Sequence, residues 1–324
     1  MGIKFLIILL LGFFTIAHPP IVEATTVDLF QITTDGSQQT SPFIYGNLVV
    51  YTSLSDIWGY DLGTEQNFPI LEKEGQQFTT GFYKNLVIYE NTNPDDVGTD
   101  VYMYNLRTGE DTLIAGGLGS QGNGVTNGRE VVYINGGACG QLYSYDIRPE
   151  TTTLITETAC HPVRIWQNIV VWSYAASGGT NVYGYNLVKK ELFDIATADG
   201  FQEVPNIFGD NVVWLQRTTG TYGDPNSIVM KNLRTGEETT IYESSTDALN
   251  WPAISNKYVV WSQSSSQHVG GVRGAHIGNG EVFEVQEQGP HQNSHTMPAI
   301  WKDTTVWQAW RTGNGDIYGA EFDR

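Results

Sequence analysis

Hydrophobic positions along this chain fall into two patterns that recur together. The first is a continuous apolar triplet ending in an aromatic: Val49-Val50-Tyr51, Val87-Ile88-Tyr89, Val131-Val132-Tyr133, Val170-Val171-Trp172, Val212-Val213-Trp214, Val259-Val260-Trp261 and Thr305-Val306-Trp307. The second is a stretch of strict alternation that follows each triplet, as in Asp56–Leu62 (DIWGYDL), Asp100–Leu106 (DVYMYNL) and Asn181–Leu187 (NVYGYNL). A continuous run suits a strand buried on both faces, and alternation suits one with a single buried face. Turn residues bound them, for example Arg107-Thr108-Gly109-Glu110 and Arg234-Thr235-Gly236-Glu237. Several triplets are preceded by a proline-opened segment, at Pro42, Pro205, Pro252 and Pro298. Beyond the first two dozen residues no stretch holds a 3.6-residue period. The pattern predicts an almost purely β protein.

The triplet aromatics are 38, 44, 39, 42, 47 and 46 residues apart. These steps match the roughly 40–45 residues of a four-stranded propeller blade. Each copy supplies a proline-opened strand, the triplet strand, the alternating strand and a last strand such as Asp111–Ala115 (DTLIA). The expected fold is all-β: a seven-bladed β-propeller of four-stranded blades. The seventh copy ends at Arg324 after its third strand, and a spare strand, Val27–Thr33, precedes the first copy. The ring is therefore expected to close by that N-terminal strand pairing into the last blade, hiding sheet edges. Residues 25–324 then make one propeller domain. Near the end of each alternating strand stands Asp61, Asn105, Asp146, Asn186, Asn232, His276 or Glu321. In the first five copies this position has the chemistry of a side chain that starts a turn.

Residues 1–24 read differently. Lys4 precedes an uncharged run from Phe5 to Ala17, and Val22-Glu23-Ala24 places small residues three before and one before a cut. That is the three-part pattern of a secretory signal peptide. Its apolar run falls short of the roughly 20 residues that span a bilayer; an uncleaved anchor is the other reading. No second apolar segment follows, so the mature chain is expected to carry no transmembrane span. The expected location is secreted, periplasmic or cell surface. A net charge of −18 makes the surface acidic, which excludes nucleic acid as a partner because phosphates need a basic footprint.

The run Pro42-x-Ile44-x-Gly46-Asn47-x-Val49-Val50-Tyr51, with closings such as Asn105-Leu106-Arg107-Thr108-Gly109, resembles the TolB-type, WD40-like propeller repeat of exported proteins. The likeness covers all of residues 25–324. It implies the propeller fold but no single activity, since that repeat serves many purposes. TolB itself carries an α/β domain ahead of its propeller, and residues 25–324 leave no room for one.

Candidate chemistry lies at few positions. Twelve residues before the triplet aromatic stand Gln39, Gln77, Gln121, Cys160, Gln202, Leu249 and His295. Either the glutamines and His295 form a polar ring that binds a ligand in the axial funnel, or a water-filled channel simply tolerates amides. Three histidines, His161, His291 and His295, fall in the entry segments of copies four and seven. Oligogalacturonate lyases are propellers of similar type with a histidine-bound metal in the funnel. That likeness implies the alternative of a metal-assisted carbohydrate-active enzyme holding a divalent ion on these histidines. Asp95, Asp96 and Asp100 could bind calcium or, as Asp56 and Asp316 suggest for Asp100, cap turns. No GxSxG, P-loop or GxGxxG occurs. Cys139 and Cys160 are the two cysteines; in an oxidising compartment they form a disulfide, the alternative being two buried thiols.

These observations lead to an expected function without a catalytic set or cofactor: an exported binding or scaffold module for a protein, glycan or cell-envelope partner. Recognition is expected on the long connections 173–181, 218–226 and 262–271, since loops on a rigid scaffold usually carry it.

Overall fold

The computed structural model describes residues 24–92, 98–219, 225–265, 271–286, 297–310 and 314–323. Among them the regular structure is all β, in 27 strands. No helix among the described residues is long and apolar enough to cross a membrane.

Strand β1 (Thr26–Gln31) comes first. A sheet in chain order then joins β2 (Gln39–Tyr45), β3 (Leu48–Ser53), β4 (Asp56–Asp61) and β5 (Gln66–Leu71). The next joins β6 (Gln76–Tyr83), β7 (Leu86–Thr92), β8 (Thr99–Asn105) and β9 (Glu110–Ala115). An eleven-stranded sheet begins with β10 (Gln121–Thr126), β11 (Glu130–Asn135), β12 (Cys139–Asp146) and β13 (Thr151–Trp166). It goes on through β14 (Ile169–Ala176), β15 (Gly179–Asn186), β16 (Glu191–Ala196), β17 (Phe201–Phe208), β18 (Asn211–Arg217), β19 (Asn226–Asn232) and β20 (Glu238–Ser244). A further sheet holds β21 (Ala248–Ile254), β22 (Tyr258–Ser264), β23 (Gly271–His276) and β24 (Val282–Gln286). The last holds β25 (Ala299–Trp301), β26 (Thr304–Trp310) and β27 (Gly315–Asp323), with β1 paired antiparallel to β27.

The large sheet is four-stranded meanders run together. The 16-residue β13 pairs with β12 through its first part and with β14 through its second. Cys160 marks the changeover, facing Cys139 on one side and Ser173 on the other. A single parallel pair, Thr180 with Phe201, links β15 to β17.

The continuous triplets follow from packing on two sides at once. Val49 packs with Ile32, Ile44, Val306 and Ile317, whereas its neighbour Val50 packs with Ile57, Val87 and Tyr89. Val170 joins Val132 and Ile134, and Val171 joins Val212 and Trp214. Successive side chains of a strand point to opposite faces, so both faces must be apolar. Each fully buried valine contributes roughly 1.5–3 kcal/mol to one neighbour or the other.

Third and fourth strands match by size. Gly59 faces Phe68, Gly184 faces Phe193 and Gly274 faces Phe283. Where the third strand carries Met103, Ser144 or Met230, the residue opposite is Thr112, Thr153 or Thr239. In the last sheet Gly319 faces Phe30 of β1. A Cβ on any of these four glycines would lie 2.4–2.6 Å from the facing ring, so the rings rest on bare backbone. By this measure β1 does the work of a fourth strand.

The turn chemistry read from the sequence is present. Asp61, Asn105, Asp146, Asn186 and Asn232 each accept the N–H two residues on, at 2.8–3.2 Å. His276 does the same through Nδ1, accepting from Gly278 at 3.0 Å.

Candidate functional site

First strands make the wall of an axial space. β2 contacts β6, β6 contacts β10, and so on through β13, β17, β21 and β25, which contacts β2. Most of these strands break their ladder at a similar point, between Thr40 and Phe43, Gly122 and Val125, Glu203 and Asn206, and Asn250 and Ala253. Ser41, Asn123, Val204 and Trp251 are left-handed there, with φ of 50–56°. For a branched residue such as Val204 that conformation costs about 1–3 kcal/mol and must be held by its surroundings. Pro42, Pro205 and Pro252 come next, and having no N–H they forfeit no ladder bond. The break frees side chains from the sheet's alternation at the axial wall.

A cavity of about 250 Å³ lies there. Its polar lining is Ser41, Thr79, Thr80, Glu90, Asn123, His161 and Arg164; Phe43, Phe78 and Met297 supply apolar surface. Glu90 accepts the Asn123 N–H at 2.7 Å. Burial raises the Glu90 pKa, and that bond works against the rise. A Cβ at Gly122 would sit 2.7 Å from Glu90 Oε1, so the glycine makes room for the carboxylate. Arg164 donates from Nη1 to the carbonyl of Val163 at 2.9 Å. Desolvation lowers its pKa to about 10, leaving it charged at neutral pH. His161 is hemmed in by protein yet open to the cavity, its ring 5.6 Å from that of Trp251. Surrounding protein, and then Arg164, hold its pKa down to about 4, so it is neutral at neutral pH.

Aromatics gather at the other end of the first strands. Tyr45, Tyr83, Trp166, Phe208 and Trp301 each stand six residues before a triplet aromatic. Tyr45 lies 4.1 Å from Trp301 and 4.8 Å from Tyr83, and Trp166 lies 4.0 Å from Phe208. Trp301 also meets Trp166 at 6.3 Å and Phe208 at 6.2 Å. Rings from four sheets thus converge into one cap.

The glutamines singled out by the repeat are buried and do not line this cavity. Gln39 donates to Asp35 at 2.7 Å, Gln77 to Asn91 at 2.6 Å and Gln121 to Asn135 at 3.2 Å. Gln202 has no described partner for either amide atom, and Oε1 of the other three has none. His161 is at the cavity; His291 and His295 lie outside the described residues, as do Asp95 and Asp96 and the leader residues 1–23. Cys139 and Cys160 are joined by a disulfide with Cα atoms 4.1 Å apart. It pins β12 to the changeover point of β13. Sequence reasoning passed over Arg164, Glu90 and the cap. The cap had a signal, an aromatic at one repeat position in five copies. So had Arg164, a charge where other copies carry Phe43, Gly81, Val125 or Ala253.

No protein-family model and no curated protein sequence matches the chain. Solved structures do. An oligogalacturonate lyase in complex with manganese aligns with a TM-score of 0.67 at 14% identity, over 93% of this chain and 97% of that one. The β-propeller domain of the Trilobed protease from Pyrococcus furiosus gives 0.67 at 11%, over 89% and 95%. A putative TolB from Agrobacterium tumefaciens gives 0.51 at 12%, over 68% and 88%. The fold is a TolB-type β-propeller. At these identities the likeness is one of fold, and activity must be argued from the site.

The lyase's manganese prompts a test of fit in this propeller. No three His, Cys, Asp or Glu side chains gather among the described residues. His161 has the guanidinium of Arg164 as its electrostatic neighbour, and a fixed positive charge disfavours a cation there. The described residues do not fit a divalent ion.

Proposed function

We propose that the chain is an exported, seven-bladed propeller of four-stranded blades, closed by β1 on the last blade. We infer that it serves as a non-catalytic binding module for a protein or glycan of the cell envelope or exterior. Support for the blade count comes from the hydrophobic clusters that join consecutive sheets, from the packing of Val49 against Val306 through to that of Val260 against Trp307. Support for closure comes from Phe30 taking on Gly319 the place that Phe68 takes on Gly59. Export rests on the pattern of residues 1–24.

The observation that carries the binding reading is the axial cavity, walled by strained first strands, capped by aromatics at one end and edged by exposed Phe78 and His161. Convergent polar groups in a concave, preformed site are what a binding protein needs. The test is a thermal-shift screen of envelope glycans and envelope proteins, because a ligand of the folded state raises apparent stability. A partner that raises Tm, and loses affinity when cavity-edge residues such as Phe78 are changed, supports the reading. A metal-assisted carbohydrate-active enzyme is the competing reading, favoured by the likeness to the lyase over nearly its whole length. Stoichiometric metal whose chelation abolishes cleavage of an acidic polysaccharide would replace the binding reading with that one.

A further inference from the structure

The axial cavity holds one carboxylate and one guanidinium that do not meet. Glu90 on β7 and Arg164 on β13 both line it, and β10 contacts both strands. Neither forms an ion pair with a described residue. Glu90 has the Asn123 N–H, and Arg164 the carbonyl of its own neighbour Val163. The remaining titratable group of the lining, His161, is neutral at neutral pH. The cavity thus presents a carboxyl group and a guanidinium, each partly desolvated and each without a described counter-ion. Charge removed from water is costly unless it is paired.

Size and apolar surface narrow the occupant. About 250 Å³ is smaller than the roughly 300–1,000 Å³ of pockets that take drug-sized ligands. Phe43, Phe78 and Met297 offer a hydrocarbon contact beside the charges. An inorganic anion would pair Arg164 and leave Glu90 alone, and it would approach against a net charge of −18. A simple amine would leave Arg164 alone. A zwitterion pairs both and carries no net charge.

We propose that the cavity binds a free α-amino acid with an apolar side chain, its carboxylate on Arg164, its ammonium on Glu90 and its side chain against Phe43, Phe78 and Met297. The planar guanidinium suits a carboxylate because it can donate two parallel bonds. The proposal rests on the same axial cavity as the binding reading above; amino-acid titration tests the groups inside it, and the screen of envelope partners tests its edge at Phe78, so the two can fail separately.

The experiment is calorimetric titration of the full chain with each of the twenty standard amino acids, paired with thermal shift. At least one apolar amino acid is expected to bind at a stoichiometry of one and to raise Tm. For leucine, the half-ligands isocaproate, lacking the ammonium, and isoamylamine, lacking the carboxylate, are expected to bind at least about tenfold more weakly, a difference of about 1.4 kcal/mol. Arg164→Gln should weaken amino-acid binding by a similar factor and leave isoamylamine unchanged. Glu90→Gln should mirror this, leaving isocaproate unchanged. The half-ligand comparison uses unmodified protein, so it decides the matter even if a variant fails to fold. Absence of binding by all twenty, or half-ligands as tight as the parent amino acid, overturns the proposal.

Discussion

The ring of Phe30 lies on the bare backbone of Gly319, where a Cβ would stand 2.4 Å from Cε2 and Cζ. The two residues come from opposite ends of the chain, yet they repeat the relation of Phe68 to Gly59, Phe193 to Gly184 and Phe283 to Gly274. Gly319→Ala should therefore destabilise the protein by about 1–3 kcal/mol through overpacking. Phe30→Ala in the same chain should recover part of that loss. A double-mutant cycle by urea unfolding measures it, and a coupling below about 0.5 kcal/mol would mean that the contact does not hold β1 in place.

Deleting residues 25–32 tests the same closure more severely. Ile32 is 3% exposed, and its N–H donates to the Ile317 carbonyl at 2.9 Å. Loss of the buried Ile32 alone removes about 1.5–3 kcal/mol, and the half-buried Phe30 adds to it, before any backbone bond is counted. Scanning calorimetry should show Tm lower by about 10 °C or more. A truncated chain that melts within a degree of the parent would refute the pairing of β1 as a closing element.

Two glutamines at the same repeat position should respond in opposite ways. Gln77 donates to Asn91 at 2.6 Å inside the protein, so Gln77→Met strands a buried amide and should cost about 1–3 kcal/mol. Gln202 has no described partner to lose, and Gln202→Met should be neutral or stabilising. Chemical denaturation of the two variants side by side gives the comparison.

Removing the disulfide should cost about 3 kcal/mol in the chain-entropy account of its 21-residue separation. Unfolding with and without reductant, together with the Cys139→Ser/Cys160→Ser double variant, measures this. Equal midpoints in both conditions would contradict it.

His161 makes stability depend on pH in a defined window. Its folded pKa is about 4 against an ordinary value of 6.5. Between those values the unfolded chain binds a proton that the folded chain does not, so stability rises with pH there. The contribution is full above about 6.5 and is lost as pH falls toward 4. Cavity water screens part of it, because the ring is open on one side. An NMR titration should find the imidazole still neutral at pH 5.5, and His161→Gln should flatten the slope of stability against pH. A midpoint near 6.5 would rule this out.

Much of the architecture was legible because its causes are local and repeated. Val49 and Val50 are both apolar since each faces a different sheet, and Asp61 recurs as Asn105 and Asn186 since each starts the same turn. The spare strand before the first copy pointed to β1 on β27 in the same way. The site was less legible. The ladder breaks beside Ser41 and Asn123 interrupt the alternation that tells one face of a strand from the other. Gln39 and Gln121 lie just before those breaks, and sequence spacing alone does not tell on which side their side chains end. Glu90 and Arg164 are 74 residues apart, and only the arrangement of β7, β10 and β13 brings them to one cavity.

Five aromatic rings meet at one end of the first strands, while a carboxyl group and a guanidinium line the cavity, so the central space differs in chemistry along its length. Phe78 and His161 stand exposed at the edge of the cavity, so large and small visitors that approach there compete for one threshold. A bulky guest seated on the rim would lock a small one beneath it. The inner guest's residence time would then be set by how slowly the outer one departs.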